Sequence, residues 1–353
     1  MAKSSVVGLD IGTTHVRAAE MRFGSGGPGR GAGQLVRCAQ VAVPAGAVRD
    51  AEVVEPQTIA TALRRLWSEG GFSTKDVVIG IGNQRVMVRE IDLPWMPIDQ
   101  LRASLPFQAQ ELLPMAAGEA LLDFYPTRDN DAPEGRTVTG MFVAAVRETV
   151  TSNVLACEAA GLAPAMVDLN AFAQMRSLVT GELGNRTVAI VDIGARVTNV
   201  VIADHGVPRF VRVLPSGGQD ATDAVASALQ VTSAEAEQIK REVGVGYPVS
   251  PDRQPAAEAV LTVTRTLVES VRNTFSFYTT SHPGAQIEVI ALTGGGGHLP
   301  GFGQYLSSAS RIGVTLGNPL DHVTVDKAAA KSFPQGLESS FATSIGLAYG
   351  VAA

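Results

Sequence analysis

One short phrase occurs twice in this chain, and it constrains the fold more than any other feature. VGLDIGTTHVRAA opens at Val7, and AIVDIGARVTNVV returns at Ala189. Each runs an apolar strand into Asp-Ile-Gly, at Asp10-Ile11-Gly12 and again at Asp192-Ile193-Gly194, 182 residues later. That half-chain spacing predicts a duplicated domain whose two halves present matching hairpins to one ligand.

The chemistry of such a hairpin is specific. A strand ending in Asp places a carboxylate at the sheet edge, where it can hold a water on a hard cation such as Mg²⁺. The following glycine has no Cβ and lets the backbone approach a bulky anion. Successive N–H groups in the turn form an anion-binding nest. In the first copy Thr13 and Thr14 add hydroxyl donors, and Arg17 can reach a phosphate oxygen. A single Asp-x-Gly after a strand is more often an ordinary β-turn. Two copies at this separation reverse the odds.

Composition narrows the class. A chain of 353 residues has room for two domains or one bilobal unit. A net charge of −6 argues against binding a phosphate backbone, so no nucleic-acid partner is expected. Cys38 and Cys157 stand far apart and read as small buried residues of a reducing compartment. The five histidines form no ligand-spaced pair, so no zinc site is expected. The N-terminus lacks a signal-peptide pattern, no apolar run approaches the ~18 residues of a membrane span, and SIGLAYGVAA is not a basic amphipathic helix. The expectation is a soluble cytoplasmic protein.

The coarse pattern alternates strand and helix in two halves, which implies an α/β fold. Strands are expected at 5–10, 16–21, 34–43, 76–82, 86–93, 121–126 and 137–146, and later at 187–192, 197–204, 207–215, 287–293 and 312–316. Helices are expected at 56–70, 98–113, 148–160, 220–230, 233–243 and 256–280, with a last one through 339–350. The Gly-rich run 24–33 lacks the Gly-Lys-Ser/Thr of a P-loop and reads as a flexible hairpin tip; 128–135 reads as a polar turn or longer loop. Residues 85–163 form an inserted strand–helix–strand–strand module. The first lobe then comprises 1–84, 164–185 and 330–353, and the second 186–329, with 218–281 as its helical part.

Gly294 to Gly297, followed by His298, lie between a buried strand and a helix. Four glycines clear one wall of side chains, as a flat or anionic ligand such as adenosine and its phosphates requires. Gly217 and Gly218 are counted with the same binding set, and His298 reads as a turn residue.

Together these pieces resemble the actin-like, ribonuclease H-like ATPase superfamily of actin, chaperone ATPase domains, sugar kinases, MreB and FtsA. GLDIGTT resembles its first phosphate hairpin, with Asp10, Gly12, Thr13 and Thr14 at motif positions and Arg17 in place of the usual Lys. VDIGARVT resembles the second, with Asp192, Gly194, Ala195 and Thr198. LTGGGGHLPGF resembles the adenosine motif at Gly294, Gly295, Gly296 and Leu299, and AEQIKREVG the adenine/ribose helix, with Glu237 and Lys240. The position of the insert, and the phrases IDLPWMPIDQLRASLPFQAQELLP and CEAAGLAPAMVDLNAFA, are similar to the PilM family of type IV pilus assembly proteins.

The resemblance implies ATP and Mg²⁺ as cofactors, with Asp10 and Asp192 holding the metal through water. It also implies a place at the inner membrane through a partner only. That partner is the N-terminal tail of a PilN-like protein, in a groove between the first lobe and the insert. Contacts with pilus motor ATPases and self-association stay open. One departure matters: Asn170 stands where the superfamily places a water-positioning Glu or Gln. Asn cannot act as a general base, so weak or no hydrolysis is expected. Asn170 could equally cap its helix, and Asp168 could substitute for it. The alternatives are a filament-forming cytoskeletal protein, a small-molecule kinase relying on Asp168, and a scaffold that keeps the hairpins only as packing.

Overall fold

Apolar residues on both faces of VVGLDI and VRAAEM mark buried strands, and the fold pairs them as a hairpin. The structure is a computed structural model that describes residues 4–24, 33–108, 110–113, 115–133, 135–333 and 336–350. Strand β1 (Ser4–Ile11) runs antiparallel to β2 (His15–Phe23), and β2 to β3 (Gln34–Ala42). The Gly-rich tip falls, at 25–32, outside the described residues. A small hairpin, β4 (Val48–Arg49) and β5 (Glu52–Val53), leads to helix α1 (Pro56–Gly70). Proline in its first turn costs no helical hydrogen bond, and Ile59, Leu63 and Leu66 fall on its buried face. Strand β6 (Asp76–Ile81) then lies parallel to β1.

The insert follows as β7 (Val86–Pro94), α2 (Ile98–Gln108), β8 (Ala120–Ala132) and β9 (Gly135–Val146), with strand order β7-β9-β8. Two expectations change here. Helix α2 stops at Gln108 and gives way to a 3₁₀ turn at Gln110–Leu112, just beyond Pro106, which has no N–H for the helical ladder. The polar stretch 128–135 is largely strand, because polar cross-strand pairs sustain it: Asp129 with Arg136 at 2.6 Å and Asn130 with Thr139 at 2.7 Å.

Helix α3 (Arg147–Ala159) and strand β10 (Ala163–Leu169) return to the first sheet, and α4 (Asn170–Leu178) crosses to the second lobe. Ala156 and Cys157 of α3 pack in one core with Val7, Leu9 and Leu63. This helix therefore belongs physically to the first lobe, although the module was expected to run to residue 163.

The second half repeats the plan. A meander of β11 (Thr187–Ile193), β12 (Thr198–Asp204) and β13 (Val207–Leu214) precedes α5 (Gly218–Leu229), α6 (Ser233–Val243) and α7 (Gln254–Ser281). Then come β14 (Val289–Thr293), α8 (Phe302–Ser310) and β15 (Gly313–Leu316). Sheet order is β3-β2-β1-β6-β10 in one lobe and β13-β12-β11-β14-β15 in the other, with the same antiparallel and parallel pairings. The first sheet gains one more short strand, β16 (Thr324–Val325), followed by α9 (Lys327–Ser332); neither is in the expected series, and β16 lies within 186–329.

The last helix, α10 (Ala342–Ala348), follows a 3₁₀ turn at Glu338–Phe341 and crosses α4 at the lobe junction. The crossing is close enough that a Cβ on Gly346 would collide with the Ala173 carbonyl. Among the described residues no helix is long and apolar enough to cross a membrane.

Candidate functional site

The repeated phrase folds into the same turn twice. Asp10 sits opposite Arg17 in the first hairpin, and Asp192 opposite Asn199 in the second. The Gly12 N–H donates to the His15 carbonyl at 3.0 Å, and the Gly194 N–H to the Val197 carbonyl at 2.9 Å. A Cβ on either glycine would stand 2.9 Å from that same carbonyl, so both turns need glycine.

Both hairpins open onto one cleft of about 980 Å³ between the lobes. Asp10, Gly12, Thr13, Thr14, Arg17, Asp192, Gly194 and Ala195 line it from the hairpins. Asn170, Gly218, Glu237, Lys240, Gly294, Gly295, Gly296 and Leu299 complete the expected set around it.

Two expected residues do not reach the cleft. Thr198 is fully buried and its hydroxyl donates to the Ser216 carbonyl at 2.8 Å; its place in the hairpin is that of Val16, facing the core. Gly217 does not line the cleft either. Its N–H donates to Asp220 Oδ2 at 2.9 Å, and a Cβ there would press on Gly194 and Ala195, so it seats α5 against the second hairpin.

The carboxylates carry the electrostatics. Burial pushes Asp10 up from 3.8 to about 6; Arg17 opposes that rise and Asp192 adds to it. Burial raises Asp192 as well, against hydrogen bonds from Gln174 and Asn199 and the charge of Arg17. Arg17 also donates through Nε to Gln40 Oε1 at 3.2 Å. Two acids raised in this way and facing one cleft suit a divalent cation, which would favour their ionised forms. On the far wall Lys240 is held by Glu237 at 2.6 Å, the Gly218 carbonyl at 3.0 Å and Thr222 at 2.9 Å.

Three buried side-chain polar atoms lack a partner among the described residues: Asn170 Oδ1, Gln174 Oε1 and Ser340 Oγ. Asn170 and Ser340 line the cleft, and Gln174 bonds Asp192 directly behind it. Buried groups left open in this way suit a bound polar ligand or water. Asn170 fits where Gly80 and Gly82 leave room, and it does not cap α4 through its side chain. Asp168 is not on the cleft: it pairs with Arg176 and accepts the Leu169 N–H at 2.7 Å.

Sequence reasoning missed Asn199, Gln40, Ser339, Ser340, Thr343 and Gln174. Asn199 was within reach, because aligning the two phrases sets it opposite Arg17 of the other copy. His298, read as a turn residue, does line the cleft; it bonds Ser339 Oγ at 2.8 Å, and burial lowers its pKa, so the ring is neutral near pH 7.

The model of the type IV pilus assembly protein PilM family matches residues 8–350. The chain belongs to that family. A solved PilM-PilN type IV pilus biogenesis complex superposes with a TM-score of 0.85 at 28% identity, covering 98% of each chain. The ethanolamine utilization protein EutJ from Carboxydothermus hydrogenoformans (0.57, 15% identical, 99% of this chain and 90% of that) and MreB5 of Spiroplasma citri bound to ADP (0.52, 10%, 97% and 94%) share the actin-like fold. Cell division protein FtsA of Bacillus subtilis (strain 168) is 30% identical over 115 residues, 32% of this chain and only 25% of that protein's length.

Proposed function

We propose that this PilM-family chain is a Mg-nucleotide-binding adaptor of the type IV pilus assembly platform. One observation carries the nucleotide reading: two hairpins in identical register face each other across a cleft whose third wall is a side-chain-free glycine loop. Asp10 and Asp192 would hold Mg²⁺ through water, with Thr13, Thr14, Arg17 and the turn N–H groups on the phosphates. Gly294–Gly296, Leu299, Glu237 and Lys240 would form the adenosine side. The cation supplies charge neutralisation for the polyphosphate; this chain's residues supply position.

Hydrolysis is slow in this account. Asn170 offers the cleft an amide and no base, and Asp168, the other candidate, is tied to Arg176 away from it. The kinase alternative needed that same Asp168. Turnover on purified protein should stay well below about 1 s⁻¹, with or without partner peptide. A rate at or above that level contradicts the adaptor reading.

The partner is the N-terminal cytoplasmic tail of a PilN-like membrane protein, which would account for a membrane address without a membrane helix. The family membership and the neighbouring PilM-PilN complex support this. Its proposed seat is a groove between the first lobe and the insert; half-exposed Tyr125 of β8, whose ring centre lies 5.4 Å from that of buried Phe172 of α4, is the aromatic anchor we assign to it. Fluorescence anisotropy with a labelled tail peptide tests the seat. Tyr125→Ala should weaken binding about tenfold, as loss of an aromatic anchor does; unchanged affinity would move the tail elsewhere.

A further inference from the structure

Gln174 belongs to no motif, yet it touches the centre of the site. It lies on the buried face of α4 and is fully enclosed. Its Nε2 donates to Asp192 Oδ2 at 2.7 Å and to Thr343 Oγ1 of α10 at 3.0 Å. Its Oε1 is buried with no partner among the described residues. An unpaired buried carbonyl disfavours folding, so packing alone would select an apolar side chain here, as at Ala173, Met175 and Leu178 beside it. The amide orientation follows from its neighbour, because turned over, the carbonyl would face the Asp192 carboxylate.

The two metal-facing carboxylates are thereby unlike. Asp192 Oδ2 is held by Gln174 and, at 3.3 Å, by Asn199, while Oδ1 abuts Gly294 at the start of the glycine loop. The Asp10 carboxylate makes no hydrogen bond or salt bridge among the described residues, although its backbone pairs with Arg17 in the hairpin and the Arg17 charge acts on it. Asp192 is the fixed arm and Asp10 the free one.

Resting on the Mg-nucleotide reading above, we propose that Gln174 is a positioning residue for the cation site. It fixes the Asp192 carboxylate so that one oxygen stays available to a water of the cation. Through Thr343 the same amide ties that carboxylate to α10 where it crosses α4. A group behind a metal-facing side chain orients it without touching the metal, and losing such a group costs metal affinity about 10–100-fold.

The test titrates the full chain calorimetrically with ATP in Mg²⁺ and again in excess EDTA. The ratio of the two affinities is the gain due to Mg²⁺. Gln174→Met should reduce that gain tenfold or more while affinity in EDTA stays as in the parent chain. On an Asp192→Asn background, replacing Gln174 should add no further loss. Gln174→Asn is the second variant, should the first not fold: it keeps a buried amide but is one methylene short of Asp192, and the same loss is expected. An intact gain in either folded variant overturns the proposal, as does an equal loss with and without Mg²⁺, which marks a merely structural role. If the parent chain binds no ATP, the nucleotide reading itself fails; if it binds with full gain and the variants match it, only the role of Gln174 fails.

Discussion

The two lobes share a strand plan and a turn, but they fill equivalent positions differently. Opposite the aspartate, the first hairpin has Arg17 and the second Asn199. Behind it, among the described residues the first has no side-chain hydrogen-bond donor on the Asp10 carboxylate, whereas the second has Gln174 and Asn199 on Asp192. Two residues before the aspartate, the first has Gly8 and the second Ile190. Gly8 lets α10 lie directly on β1, while Ile190 fills a core shared with Ala342 and Leu178. The lesson is a division of labour on one backbone template. One arm turns a cationic side chain toward the cleft, and the other holds a carboxylate still.

Exchanging the two arms' residues breaks this comparison most severely at Gly8. Gly8→Ile installs the second lobe's residue where a Cβ would collide with the Ser344 carbonyl and stand 2.7 Å from the Ala348 nitrogen. The expected outcome is loss of more than about 4 kcal/mol of stability, seen as a collapsed or absent unfolding transition in circular dichroism. A native melt would mean that α10 does not need this contact.

Arg17→Asn gives the first hairpin the second's residue. ATP affinity should drop about tenfold by calorimetry, the scale of one charge-assisted contact to phosphate. Unchanged affinity would place the phosphates away from Arg17.

The raised carboxylates set a pH window with opposite signs for folding and binding. Between 3.8 and about 6 the folded chain keeps a proton on Asp10 that the unfolded chain has released. Ligand-free stability therefore falls as pH rises through that window, and Asp10→Asn should stabilise the free chain near pH 7 by roughly 1–3 kcal/mol. The Mg²⁺-dependent affinity gain runs the other way, weakening as pH drops below about 6 because protons compete for the carboxylate. A gain that is flat from pH 5 to 7.5 would remove Asp10 from the cation site.

The smallest effect separates position from motif. Thr198→Val should leave nucleotide affinity unchanged and cost about 1 kcal/mol in thermal stability, since the hydroxyl serves the Ser216 carbonyl. Weakened binding with unchanged stability would return Thr198 to the ligand.

Much of this was legible because the hairpins announce themselves locally. Apolar strands, a carboxylate and a glycine at fixed spacing give the turn, and the repeat gives the shared cleft. Asn170 and the glycine loop were legible in the same way. What escaped depends on tertiary packing. Gln174 is one polar residue on an apolar helix face, and its meaning comes from a strand that passes behind it. Thr198 matched a motif, but strand alternation turns it inward. The extension of β8 and β9 into a polar stretch rests on cross-strand ion pairs that no single-strand pattern displays.

Calorimetric titration of Mg-ATP into the parent chain, Asp10→Ala, Asp192→Ala and the double variant tests the shared cleft most directly. The account predicts one site per parent chain, with each single variant losing nearly as much affinity as the double. Two independent sites, or losses that add in the double variant, would contradict the claim that both hairpins grip one ligand.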